Sequence, residues 1–148
     1  MYDILVPELR DDPLSRGYSG MTNEAILASL LTKNRTKIVP TFGSFRTLAS
    51  VLDDTEYGTV KATLTAAAAQ SPKIADMLIM LNLPGDEAGN AGGIDMSNTL
   101  VRGMVDALFS ETIAGKMKAV AEILISRAEE IGLFGLELTH IESAKTMY

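Results

Sequence analysis

His140 is the only histidine in the chain, with Glu137 three positions before it and Glu142 two positions after it. An imidazole with nearby carboxylates is the donor set of many divalent-cation sites. No second cluster of ligand types completes such a site, so His140 reads as a partly exposed histidine at a helix start. Two adjacent acid pairs, Asp11-Asp12 and Asp53-Asp54, could do general acid–base work if another acid met them in space. Asp pairs before a turn more commonly cap and solvate the backbone. No serine has a His or Asp partner at a triad-like spacing, and Gly-x-Ser-x-Gly does not occur.

The chain has no cysteine, which excludes disulfides, thiolate catalysis and Cys-type zinc sites. The stretch from Gly85 to Gly93 holds four glycines in LPGDEAGNAGG. A phosphate-binding loop of the Walker type needs Gly-Lys-Ser/Thr after its spacer. Here Gly92-Gly93 lead into Ile94-Asp95, and Asp86, Glu87 and Asp95 would repel phosphate. The reading is therefore no catalytic, cofactor-binding or metal site, no cofactor, and not an enzyme.

The elements around these residues are helical in pattern. The 148 residues fit one domain, expected as a single helical domain over 1–148 with a flexible Gly-rich loop at 84–96. Hydrophobic residues make up 47%, rich in Ala, Leu, Ile and Met with no Trp, a composition that favours helices. The formal charge of −6 carries no clustered basic footprint, so direct nucleic-acid binding is not expected. The acids come in scattered pairs rather than in the dense face of a nucleic-acid mimic. No Sec-type leader is legible at the N-terminus, and no apolar run approaches the roughly 20 residues of a membrane span.

Caps and periodicity place helices at about Val6–Arg10, Asn23–Lys33 after the Thr22 cap, Phe45–Leu52 after Ser44, and Val60–Gln70. DDTEYGT, residues 53–59, reads as a turn. Ser71-Pro72 starts a helix to Leu83 that is apolar nearly all round, which predicts full burial or sharing with a second subunit. Further helices are expected at Asn98–Phe109 and, as the longest, at about Thr112–Ile131. Gly132 stands where a left-handed residue ends the latter. Thr139 caps a last helix ending near Met147. Ile38-Val39 reads as a short extended segment, and LFGLEL, residues 133–138, as a brief extended turn. The eight methionines read chiefly as core filling, with an adaptable interface as the minor alternative. The sum is an all-α bundle of six to eight short helices.

DDPLSRGYSGM, residues 11–21, is the most specific turn in the chain. Pro13 ends one helix, Gly17 permits left-handed backbone, and Leu14, Tyr18 and Met21 can fold back as anchors. Arg16 is expected to bridge Asp11 or Asp12. Pro13, Leu14, Arg16, Gly17, Tyr18 and Met21 are thus the candidate docking or turn-forming residues.

Asp12-Pro13-Leu14-Ser15-Arg16-Gly17-Tyr18-Ser19-Gly20-Met21, followed by a capped helix, resembles the N-terminal pattern of a group of small proteins encoded by tailed bacteriophages. Ser126-Arg127-Ala128-Glu129-Glu130-Ile131-Gly132-Leu133 is similar to that group's closing segment. The middle is similar only as a series of helices, with the glycine stretch as an insertion. The resemblance implies a product of virion structure and assembly genes, with no activity or catalytic residue to carry over. The expectation is a non-enzymatic structural or assembly component of a tailed-phage virion: tail, baseplate, neck or capsid-associated. It would be made in the host bacterial cytoplasm and would contact other virion proteins and itself as a homo-oligomer. The alternative is an intracellular phage protein that binds and modulates a host protein.

Overall fold

The computed structural model describes residues 1–83, 85 and 92–148. Among them are nine α-helices and four short strands, so the protein is mainly helical rather than all-α. The strands were expected to amount to at most one short extended segment. Instead they form two two-stranded sheets, β1 with β4 and β2 with β3.

The chain separates into two compact units where composition suggests one domain. Unit 1 comprises Met1–Lys37 and Leu124–Tyr148, and unit 2 comprises Ile38–Ile123. Each has its own hydrophobic core.

Unit 1 begins with α1 (Tyr2–Asp11), which starts a turn earlier than expected and carries Pro7 in its interior. Asp12 ends it in left-handed conformation. A 3-10 turn (Tyr18–Gly20) leads to α2 (Asn23–Leu31), whose first turn is capped by the Thr22 hydroxyl accepting from the Ala25 amide. α2 ends two residues short of the expected Lys33, where β1 (Lys33–Ile38) begins, so the chain becomes extended earlier than the expected Ile38-Val39.

β4 (Glu122–Ser126) and α8 (Arg127–Glu130) take the place of the second half of the long helix expected over Thr112–Ile131. The apolar spacing there fits a helix, but Glu-Ile-Leu-Ile-Ser concentrates β-branched side chains that suit a strand. Ser126 then starts a new helix. Its hydroxyl accepts from the Glu129 amide, and the Glu129 carboxylate accepts from the Ser126 amide. Gly132, at φ 78°, ends α8 as the sequence pattern requires. The last helix, α9 (Leu138–Lys145), is capped by Glu137 and His140 rather than by Thr139, which lies inside it. Leu5, Leu9, Ile26 and Leu30 of the first segment share one core with Leu133 and Ile141 of the second.

Unit 2 holds β2 (Phe42–Gly43), α3 (Phe45–Val51), α4 (Asp54–Ala68), α5 (Pro72–Asn82), β3 (Ile94–Asp95), α6 (Thr99–Leu108) and α7 (Glu111–Ala119). DDTEYGT is not a turn. Asp53 and Glu56 form a reciprocal capping box, so α4 starts at Asp54 and runs through Gly58. Ser71-Pro72 starts α5 as expected. That helix is not buried all round: Met77 and Leu81 face the core, while Ile79, Met80 and Leu83 are exposed. Asn98 caps α6, its side chain accepting from the Leu100 and Val101 amides.

Pro84 and residues 86–91 of the expected Gly-rich loop lie outside the described residues. Its C-terminal part forms β3, which pairs antiparallel with β2 in the register Phe42↔Asp95 and Gly43↔Ile94. Ile94 and Met96 enter the core beside Leu48, Val60 and Leu64.

Because unit 2 is continuous in sequence and carries its own core, an excised Ile38–Ile123 chain is expected to fold by itself. Far-UV circular dichroism should show a cooperative thermal transition, and the amide NMR spectrum should be dispersed. A non-cooperative melt would mean that the core of unit 2 depends on unit 1.

Candidate functional site

The turn at residues 11–21 and the segment at residues 126–133 meet in unit 1 around one buried carboxylate. Glu8 sits on the inner stripe of α1 between Leu5 and Leu9, only 4% exposed. An isolated buried carboxylate is costly unless it is paired and hydrogen-bonded. Arg127, the first residue of α8, provides the pairing. Its Nε donates to Glu8 Oε1 at 2.9 Å and its Nη2 to Oε2 at 2.7 Å, a bidentate fork. The Tyr18 hydroxyl donates to Oε1 at 3.3 Å. Arg127 Nη1 reaches Glu130 Oε2 at 2.9 Å, and Arg35 of β1 lies 2.5 Å from the same oxygen. Lys33 stands 3.3 Å from Glu129.

These contacts set the protonation states. Burial first, and then the Glu8 carboxylate, push the Tyr18 phenol up to about 12, so it stays a donor at neutral pH. The hydrogen bond to Glu8 raises Arg127 further above its already high value. Arg127, then Arg35, hold Glu130 below the usual carboxylate range. The Ser126 amide and hydroxyl do the same for Glu129.

The N-terminal turn is shaped by Asp12. Burial opposes the charge on this carboxylate, but the amides of Arg16, Gly17 and Tyr18 outweigh it and lower its pKa. The Arg16 amide donates at 2.7 Å and the Gly17 amide at 2.6 Å. The Arg16 guanidinium does not bridge Asp11 or Asp12. It donates to the Ser29 carbonyl at 2.8 Å and the Ser29 hydroxyl at 3.2 Å, fastening the turn to α2. Asp11 pairs with Arg10 instead. Gly17 adopts φ 78°, a conformation that suits glycine. Tyr18 is buried in the core of unit 1, and Met21 is half-buried against it. Pro13 and Leu14 remain exposed. Of the six candidates, then, Tyr18, Met21 and Arg16 are anchored inward, Gly17 shapes the backbone, and Pro13 and Leu14 face solvent.

The other candidate groups serve local structure. His140 Nδ1 accepts from the Glu137 amide at 3.0 Å, and its ring stands edge-on to Tyr2. Asp53 caps α4. Among the described residues no group of three or more His, Asp or Glu is placed to hold a metal, and no pocket is found.

Sequence reasoning missed Glu8 and Arg127 as a pair, although one signal was present. Glu8 falls three positions after Leu5, on the apolar stripe of its helix, where an acid requires a partner.

Six carboxylates, Asp11, Asp12, Glu129 and Glu130 in unit 1 and Glu56 and Asp95 in unit 2, are held below their ordinary values. For Glu56 the main cause is Lys116, 2.7 Å away. A depressed folded-state value favours folding at pH above the unfolded value, about 3.9–4.3, and that contribution is lost as pH falls through the folded value. The urea midpoint is expected to hold steady from about pH 8 to 6 and to drop below roughly pH 4.5. A midpoint that rises on acidification would contradict these assignments.

Comparisons with protein-family models, with curated proteins and with solved structures return no match to the chain.

Proposed function

We propose that the protein is a non-enzymatic structural or assembly component of a tailed-phage virion, acting through protein–protein contacts. The observation that carries this reading is the use made of the two phage-like segments. Their distinctive residues, Arg16, Gly17, Tyr18, Arg127, Glu129 and Glu130, shape and fasten the scaffold of unit 1. A sequence pattern devoted to holding shape suits a protein whose output is a surface.

Large apolar side chains stand on that surface. Phe134 is 72% exposed and Leu124 61% in unit 1, and Leu100 is 77% and Ile79 62% in unit 2. Scattered single residues of this kind are ordinary, but Ile79 and Met80 are neighbours near the end of α5, and Leu83 follows directly after it. Position in the particle and the identity of neighbouring proteins belong to the experiment. Purified particles should contain the protein at a fixed copy number by quantitative mass spectrometry. Its absence from particles, together with capture of a host protein from infected cells, would replace this reading with the host-modulating one.

A further inference from the structure

Unit 1 is assembled from two chain segments that are covalently joined only through unit 2. The two segments are joined to each other by packing, ion pairs and strand pairing. α1 and α2 pack against α9, and α2 also packs against α8. Glu8 pairs with Arg127 across 119 positions of sequence, Arg35 with Glu130, and Lys33 with Glu129. β1 pairs with β4. The core of unit 2 includes no residue of either segment. Opening the junction between Met1–Lys37 and Leu124–Tyr148 therefore exposes one apolar face on each and leaves the core of unit 2 complete.

We propose that the chain self-associates by exchange: residues 1–37 of one copy are closed by residues 124–148 of a second copy. The occupant of the opened face is fixed by its chemistry. It must present a guanidinium to Glu8 and to the Tyr18 hydroxyl, acids to Arg35 and Lys33, and the apolar side chains of Leu133 and Ile141 to Leu5 and Ile26. The 124–148 segment of another copy meets every one of these requirements, because it is the same segment. Exchange re-forms the ion pairs and the core of unit 1 but must open the β1–β4 ladder where the strands run on to Ile38 and back to Glu122 and Ile123, so the balance rests on concentration against tethering and on that opening. Reciprocal exchange gives a closed dimer, and one-way exchange gives an open chain of copies.

The inference does not depend on the virion reading, because it is tested on the purified full chain. Glu8→Arg places two guanidinium groups at the buried site, and Arg127→Glu places two carboxylates there. Each variant alone should have a poorly folded unit 1. In an exchanged pair of the two variants, the Arg at position 8 meets the Glu at position 127, and Glu8 of the other copy meets Arg127. Co-refolding the two variants together should restore the native circular dichroism and yield a species of twice the 15.8 kDa chain mass by light scattering.

The double variant Glu8→Arg/Arg127→Glu, which can repair the pair within one chain, is the control. If it folds as a monomer while the mixture stays as disordered as its components, exchange is overturned. If the double variant does not fold, the unmodified chain decides. Refolded at rising concentration, it should give an increasing fraction of dimer that returns to monomer only through unfolding. A single monomeric species at every concentration overturns the proposal.

Discussion

Arg127→Ala is expected to destabilise unit 1 strongly while leaving unit 2 folded. The substitution strands the Glu8 carboxylate inside the core with only the Tyr18 hydroxyl as a partner. Breaking a buried ion pair from one side costs about 3–5 kcal/mol, because the remaining charge keeps its desolvation penalty. Whole domains are stable by only about 5–15 kcal/mol, so this loss removes much of what unit 1 has. Native-state hydrogen exchange separates the units. Amides of α1, α2 and α9 should lose protection, while those of α4 and α5 keep theirs.

Replacing both partners tests the mechanism. Glu8→Leu with Arg127→Leu removes both charges and should be far less damaging than Arg127→Ala alone. A loss below about 1 kcal/mol for Arg127→Ala would place the pair with ordinary surface ion pairs and sink the account.

Gly93→Ala is expected to be the most damaging single-methyl change in unit 2. Gly93 has φ +95°, and a Cβ built there falls 2.1 Å from the Gly43 carbonyl oxygen and 2.7 Å from the Ser44 amide nitrogen. Both are backbone atoms at the β2–β3 pairing and cannot turn aside. Gly43 is also confined on its own side, where a Cβ would lie 2.9 Å from Met96 Cγ. A strained φ costs about 1–3 kcal/mol, and forced displacement of packed atoms costs about as much again. The expected loss is about 2–5 kcal/mol, read from denaturant unfolding. Gly58→Ala provides the contrast. It lies within α4 with open space around the new methyl, so it should be neutral or stabilising by up to about 1 kcal/mol. Equal effects at the two positions would show that the close backbone approach at Gly93 does not matter.

What could be read from the sequence was local. Thr22, Ser44 and Ser71-Pro72 each announce a helix start because a cap satisfies backbone amides within three residues; Thr22 and Ser71 accept such amides here, and at Ser44 the Thr47 hydroxyl accepts from the Ser44 amide. Gly132 marks an end for a similarly local reason.

The misreadings came where local signals compete or where the deciding partner is remote. Asp53-Asp54 fits both a turn and a cap, and the Glu56 side chain settles it for the cap. Val120, Leu124 and Ile131 keep a helical spacing, yet Leu124 lies in an exposed strand position. Pairing with β1, far away in sequence, determines that segment. The same distance hid the role of Arg127. SRAEE reads as part of the long helix expected over Thr112–Ile131, and only the folded chain brings Glu8 to Arg127.

The split construction of unit 1 also imposes an order in time. During synthesis Glu8, Leu5, Leu9 and Tyr18 emerge long before Arg127 and the rest of their core. At roughly 5–20 residues per second, the ribosome needs several seconds to make the intervening unit. Unit 2 can fold as it leaves the tunnel, while the first segment waits with an apolar face and an uncompensated acid in solvent. On a crowded polysome, the first closing segment that such a nascent chain meets need not be its own.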